Sequence, residues 1–179
     1  WMRKGNRLYK EGKFEEAIRA YEQAQVLEPD NERIRFNKGC ALYRAKRYDE
    51  AEAEFQLGLL GDRRMKELAN FNIANVRFRK GDLKGAIETY IQTLILNPDN
   101  LKAKRNLEFC LKLLERLKQN PPQPDTTRKQ EAKREQRPGP EIKLGSKQAM
   151  RLLKMLEEKE RESQKERLRP KRQEVERDW

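Results

Sequence analysis

The sequence predicts an all-α fold: a superhelix of three helix–turn–helix repeats closed by a capping helix, followed by a disordered linker and a short C-terminal helix. Three observations predict it. The stretch GNRLYKEGKFEEAIRAYEQAQVLEPDN aligns with GCALYRAKRYDEAEAEFQLGLLGDRR after 34 residues, and with ANVRFRKGDLKGAIETYIQTLILNPDN after 35 more. Each copy keeps a small residue (Gly5, Gly39, Ala74), an alanine twelve later (Ala17, Ala51, Ala86), an aromatic four on (Tyr21, Phe55, Tyr90) and a small residue three beyond (Ala24, Gly58, Thr93). Composition supplies the third: 35% hydrophobic against 40% charged residues is too polar for one compact globule of 179 residues.

The repeats come first, at about 1–30, 31–64 and 65–98. Antiparallel helices approach closely only where small residues let the backbones meet, and the aromatic then fills the gap towards the next unit. Gly12, Lys46-Arg47 and Gly81-Asp82 mark the short turns inside each pair. Pro29 and Pro98 end the second helix twice, and the Asp-Asn after each suits the start of the next helix. Repeat two lacks the proline and runs LLGDRRMKEL, which predicts a distorted loop with the pairs still stacked. Residues 99–118 place Leu101, Leu107, Leu111 and Leu114 on one helical face, the cap a solenoid needs. Residues 1–118 thus form the solenoid.

Residues 119–145 are a Pro/Gln/charge stretch with no means of making a core. Residues 146–179 begin at Ser146 as an N-cap. Leu152, Leu153 and Leu156, with Ala149, give two turns of apolar stripe, and the chain closes on Asp178 and Trp179. That stripe and the terminal pair are read as a docking element on a tether, the indole for a pocket and the carboxylates for a cationic site.

Residue types argue against catalysis. There is no histidine, Ser146 and Ser163 are the only serines, and neither sits in a G-x-S-x-G setting. Cys40 and Cys110 are 70 residues apart on different helix pairs, too distant for a disulfide, and no metal-ligand or phosphate-loop spacing occurs. No cofactor or metal is expected. The net charge of +12 divides as +7 over residues 1–118 and +5 over the rest, without a dense basic block or interleaved aromatics, which argues against nucleic acid. No apolar run is long enough to span a membrane. The chain opens on Trp1 inside a helical pattern, so a fragment is expected, with any export signal or anchor upstream and membrane association only through that segment or through partners.

The first helix of each pair lines the concave face of such a solenoid. That face carries Asn6 and Lys10, then Arg33, Phe36, Asn37 and Arg44, then Phe71, Asn72, Asn75 and Arg79. Asparagine amides donate and accept at once and can hold an extended backbone; aromatics add apolar contact, and arginines favour carboxylates. Tyr9, Tyr43 and Phe78 are assigned to packing between helices.

The 34-residue period and its small–aromatic–small pattern resemble the tetratricopeptide repeat (TPR). Repeats of this kind that hold a chain-terminal carboxylate use two lysines, two asparagines and an arginine. Asn6 and Asn37 match the asparagines, but Met2, Leu68 and Asn72 stand at the cationic places, so that mode of binding is rejected. The order of parts, with Glu160, Gln164 and Lys165 before Arg177-Asp178-Trp179, resembles the TPR component (BatC) of the bacterial Bat aerotolerance system. That resemblance implies a non-enzymatic scaffold on the periplasmic side of the inner membrane. Its partners would be von Willebrand A-type Bat proteins and, indirectly, a MoxR-type AAA+ ATPase, in oxidative or envelope stress tolerance. Two alternatives stay open: a cytoplasmic co-chaperone-like adaptor, and a basic binder of nucleic acid or anionic lipid.

Overall fold

The computed structural model describes residues 1–120 and 146–168. Among the described residues it is helical without strands. Three antiparallel pairs follow in order: α1 (Met2–Lys10) with α2 (Phe14–Leu27), α3 (Glu32–Arg44) with α4 (Tyr48–Leu57), and α5 (Arg63–Arg79) with α6 (Leu83–Leu96). Then come α7 (Leu101–Gln119) and α8 (Ser146–Leu168). From α1 to α7 each helix packs on its chain neighbours, and the first helices also touch along the stack, α1 on α3 and α3 on α5.

The spacing of small and aromatic residues accounts for this stacking. A Cβ at Gly5 would lie 2.6 Å from the Tyr21 ring, and one at Gly39 would lie 2.8 Å from Phe55. Glycine is therefore what lets these two rings approach the facing backbone so closely. Ala17, Ala51 and Ala86 are fully buried beneath these contacts. The turn residues share one backbone geometry: Gly12 (φ 78°), Lys46 (φ 64°) and Gly81 (φ 84°) are all left-handed. Repeat two thus holds a lysine in a conformation that favours glycine.

Junctions between pairs are capped by side chains. The Asn31 side chain accepts from the Arg33 and Ile34 amides, Asp62 from Met65, and Asn100 from Ala103. Where repeat two lacks its proline, Gly58–Leu60 form a 3-10 turn, the expected distortion. Leu60 there is 83% exposed.

Apolar side chains gather in two clusters. One spans the first two pairs and reaches Ile73 and Val76 of α5. The other joins α5, α6, α7 and the start of α8. Leu107 and Leu111 of α7 are buried in it and Leu114 packs against it, whereas Leu101, at the first position of its helix, is half exposed. On α8, Ala149 and Leu153 are buried and Leu152 and Leu156 half-buried against α6 and α7. Their offsets of four and three residues match Ala17–Tyr21–Ala24, so α8 carries the register of a second helix opposite α7.

Candidate functional site

Polar cross-links tie the first helices together on one face. Asn6 on α1 accepts through Oδ1 from the Tyr21 hydroxyl (2.8 Å) and from Asn37 Nδ2 on α3 (3.1 Å). Arg79 Nε on α5 donates to the Tyr43 hydroxyl on α3 (3.2 Å). Asn75 on α5 accepts from the Tyr90 hydroxyl (2.6 Å) and from Asn106 Nδ2 on α7 (3.1 Å); Asn106 also donates to that hydroxyl (3.1 Å).

The first and last links are one motif at two places. Adding two repeat steps to Asn6, Tyr21 and Asn37 lands on Asn75, Tyr90 and Asn106. Burial pushes the Tyr21 phenol up to about 12 and the Tyr90 phenol in the same direction. Both therefore stay protonated at neutral pH and donate, which turns each asparagine carbonyl inward. What remains outward is the Asn6 Nδ2 donor with the Asn37 Oδ1 acceptor, and the Asn75 donor with the Asn106 acceptor. Among the described residues none of these four groups has a partner. One donor beside one acceptor is the complement of a peptide unit.

The other predicted residues divide. Phe71 stacks at a tilt on Tyr90 (6.1 Å) and, with Asn75 and Arg79, lines a cavity of about 340 Å³. Tyr43, Phe78, Phe109 and Cys110 complete much of that cavity. Asn72 turns back on its own helix, donating to the Leu68 carbonyl (2.8 Å). Phe36 leans on Phe55 (5.6 Å) and lines a different cavity of about 230 Å³ beside the 3-10 turn. Arg44 lies over the Phe14 ring (4.8 Å), and Lys10 and Arg33 are exposed. Leu152, Leu153 and Leu156 face the chain's own α6 and α7. Asp178 and Trp179 lie outside the described residues.

Asn106 and Phe109 are the functional candidates that sequence reasoning missed. The cap was read only for its leucines, although translating Asn37 by two repeats would have found Asn106. Among the described residues no cluster of His, Cys, Asp or Glu could hold a metal ion, and no helix is long and apolar enough to cross a membrane.

Antiparallel pairs in this register, with this seam of contacts, make a tetratricopeptide-repeat fold, and the tetratricopeptide-repeat family profile matches residues 2–66. RNA polymerase II-associated protein 3 of Xenopus tropicalis is 32% identical over 119 residues, covering 63% of this chain and 17% of that protein. The Hsp70-Hsp90 organising protein of Plasmodium falciparum is 34% identical over 131 residues, covering 65% and 21%. The first TPR domain of Spaghetti, an RNA polymerase II-associated protein 3, solved with the HSP90 peptide SRMEEVD, is 29% identical with a TM-score of 0.59; the match covers 64% of this chain and 90% of that one. The chain spans about a fifth of the length of these two curated relatives.

These relatives overturn the Bat resemblance. The repeats, which carry the similarity, side with RNA polymerase II-associated protein 3 and the Hsp70-Hsp90 organising protein and not with a bacterial aerotolerance component. The periplasmic, membrane-associated placement and the partners it implied, von Willebrand A-type Bat proteins and a MoxR-type ATPase, fall with it. The physical reason is plain. The Bat assignment rested on the order of parts, with its specificity carried by a few tail residues, Glu160, Gln164, Lys165 and Arg177-Asp178-Trp179, whereas packing constrains the repeat positions.

Proposed function

We propose that the chain is a non-enzymatic, co-chaperone-like adaptor that holds an extended segment of a partner protein along the first helices of its repeats. The carrying observation is the Asn6–Asn37 pair keyed by Tyr21, which offers one amide donor and one carbonyl acceptor to a passing backbone. Lys10, Arg33, Arg44 and Arg79 make the same helices basic and favour an acidic segment. The relatives support the reading: one bears the name of an Hsp70-Hsp90 organiser, and another was solved with an HSP90 peptide.

This chain departs from those that grip a terminal carboxylate. Met2, Leu68 and Asn72 stand where the cations would be, and Asn72 is engaged with its own helix. The hold therefore falls on the backbone and acidic side chains of the segment instead of its end. A cytoplasmic place accompanies this reading.

Calorimetric titration of the full chain with SRMEEVD tests it. Saturable binding is expected, weakened about tenfold by Asn37→Ala, the loss of roughly one to two hydrogen bonds. Absence of binding, or equal binding by the variant, would overturn it.

A further inference from the structure

The cap-side pair has surroundings that its twin lacks. Cys40, which follows Asn37 by three residues, is replaced two repeats on by Phe109, 57% exposed on α7. Tyr9 and Lys10 become Phe78 and Arg79, and Met2 becomes Phe71. Phe78 and Phe109 meet edge to face at 5.8 Å. These changes turn one polar seam into a cavity of about 340 Å³ with aromatic walls, an amide pair on one side and a guanidinium at its edge. Arg79 spends only its Nε on Tyr43, and no other partner is found for it among the described residues.

We propose that this cavity is a second anchoring subsite, which takes a bulky apolar side chain from a residue adjoining a carboxylate in the same extended segment. The proposal rests on the groove reading above and names the side chain it selects. The residue's peptide unit pairs with Asn75 Nδ2 and Asn106 Oδ1, its side chain lies between Phe71, Phe78 and Phe109, and the carboxylate meets the free nitrogens of Arg79. An aromatic wall prefers an aromatic or long aliphatic group, and a planar guanidinium prefers a carboxylate to a neutral amide. First helices of successive pairs lie about 10 Å apart, so the two amide pairs stand about 20 Å apart, roughly six residues of extended chain. One short segment can therefore engage both.

N-acetyl-L-phenylalanine is the smallest probe that carries ring, peptide unit and carboxylate together. Titrated into the ¹⁵N-labelled full chain, it should move the side-chain amide signals of Asn75 and Asn106 saturably and leave those of Asn6 and Asn37 in place. N-acetyl-L-alanine and N-acetyl-L-phenylalaninamide should each bind at least about fivefold more weakly, as should N-acetyl-L-phenylalanine to Phe109→Ala and Arg79→Gln, two exposed positions whose change leaves the core alone. No saturation by about 20 mM, unchanged affinity in Phe109→Ala, or equal movement of Asn6 and Asn37 would each overturn the subsite. SRMEEVD failing to bind while this probe behaves as described would sink the groove reading and leave the subsite standing.

Discussion

Tyr21, Asn6 and Asn37 at one end of the molecule, and Tyr90, Asn75 and Asn106 at the other, make the same bonds in different packing. Gly5 lies under the Tyr21 ring, where a Cβ would come within 2.6 Å; Ala74 holds that register beside Tyr90. The entry-side network has Met2, Tyr9 and Cys40 beside it where the cap-side one has Phe71, Phe78 and Phe109, and the cap-side one opens into an aromatic cavity. Repetition fixed the hydrogen-bond chemistry, and the substitutions around it set what each copy can hold.

The sharpest way to break the comparison is at the glycine. Gly5→Ala pushes a methyl into the Tyr21 ring and should lower stability by about 1–3 kcal/mol in urea unfolding. The reverse change, Ala74→Gly, should cost only about 1 kcal/mol, the helix propensity difference. Equal effects would mean that the two ends are packed alike. Next in size, Tyr21→Phe and Tyr90→Phe should each cost about 1 kcal/mol. Each should also free its asparagine to rotate, so Tyr21→Phe should weaken SRMEEVD in calorimetry even though residue 21 is buried.

Alkaline pH acts on both ends together. Burial raises the Cys40 thiol to about 12, the Cys110 thiol to about 11 and the Tyr21 phenol to about 12. All three are neutral when buried, and their folded values exceed the unfolded ones. The stability they contribute is therefore complete below the unfolded values, near 9 to 10, and is lost as pH rises towards the folded ones. Thermal unfolding followed by circular dichroism should give a flat midpoint from pH 7 to about 9 and a falling one above. A midpoint unchanged to pH 11 would contradict the burial of these groups.

The smallest effect lies between the two ends, in repeat two. Lys46→Gly relieves the one left-handed non-glycine residue among those described and should raise stability by up to about 1 kcal/mol. Gly12 and Gly81 to Ala should move it the other way.

The fold was legible because its determinants recur. Ala17, Ala51 and Ala86, each four residues before an aromatic, leave one way to stack the pairs. Of the residues expected in the groove, Asn6, Asn37 and Asn75 follow the repetition into the cross-links between helices, whereas Asn72 bonds back to the Leu68 carbonyl, a difference that periodicity cannot show. Phe36 shares its helix with Asn37 but points a turn fraction away, towards Phe55. Asn106 and Phe109 escaped because a cap was expected to be inert. The seat of α8 escaped for a related reason: Ala149 and Leu153 keep the offset of Ala86 and Tyr90, but a leucine stands where an aromatic was the signal.

In the function proposed above, the amide pairs hold a segment by its backbone and not by its terminus. The most direct measurement compares SRMEEVD with the same peptide amidated at its C-terminus, by calorimetry against the full chain. Backbone holding predicts that both bind and that their dissociation constants agree within about threefold. A loss of about thirtyfold or more on amidation would place the grip on the terminal carboxylate and contradict the account.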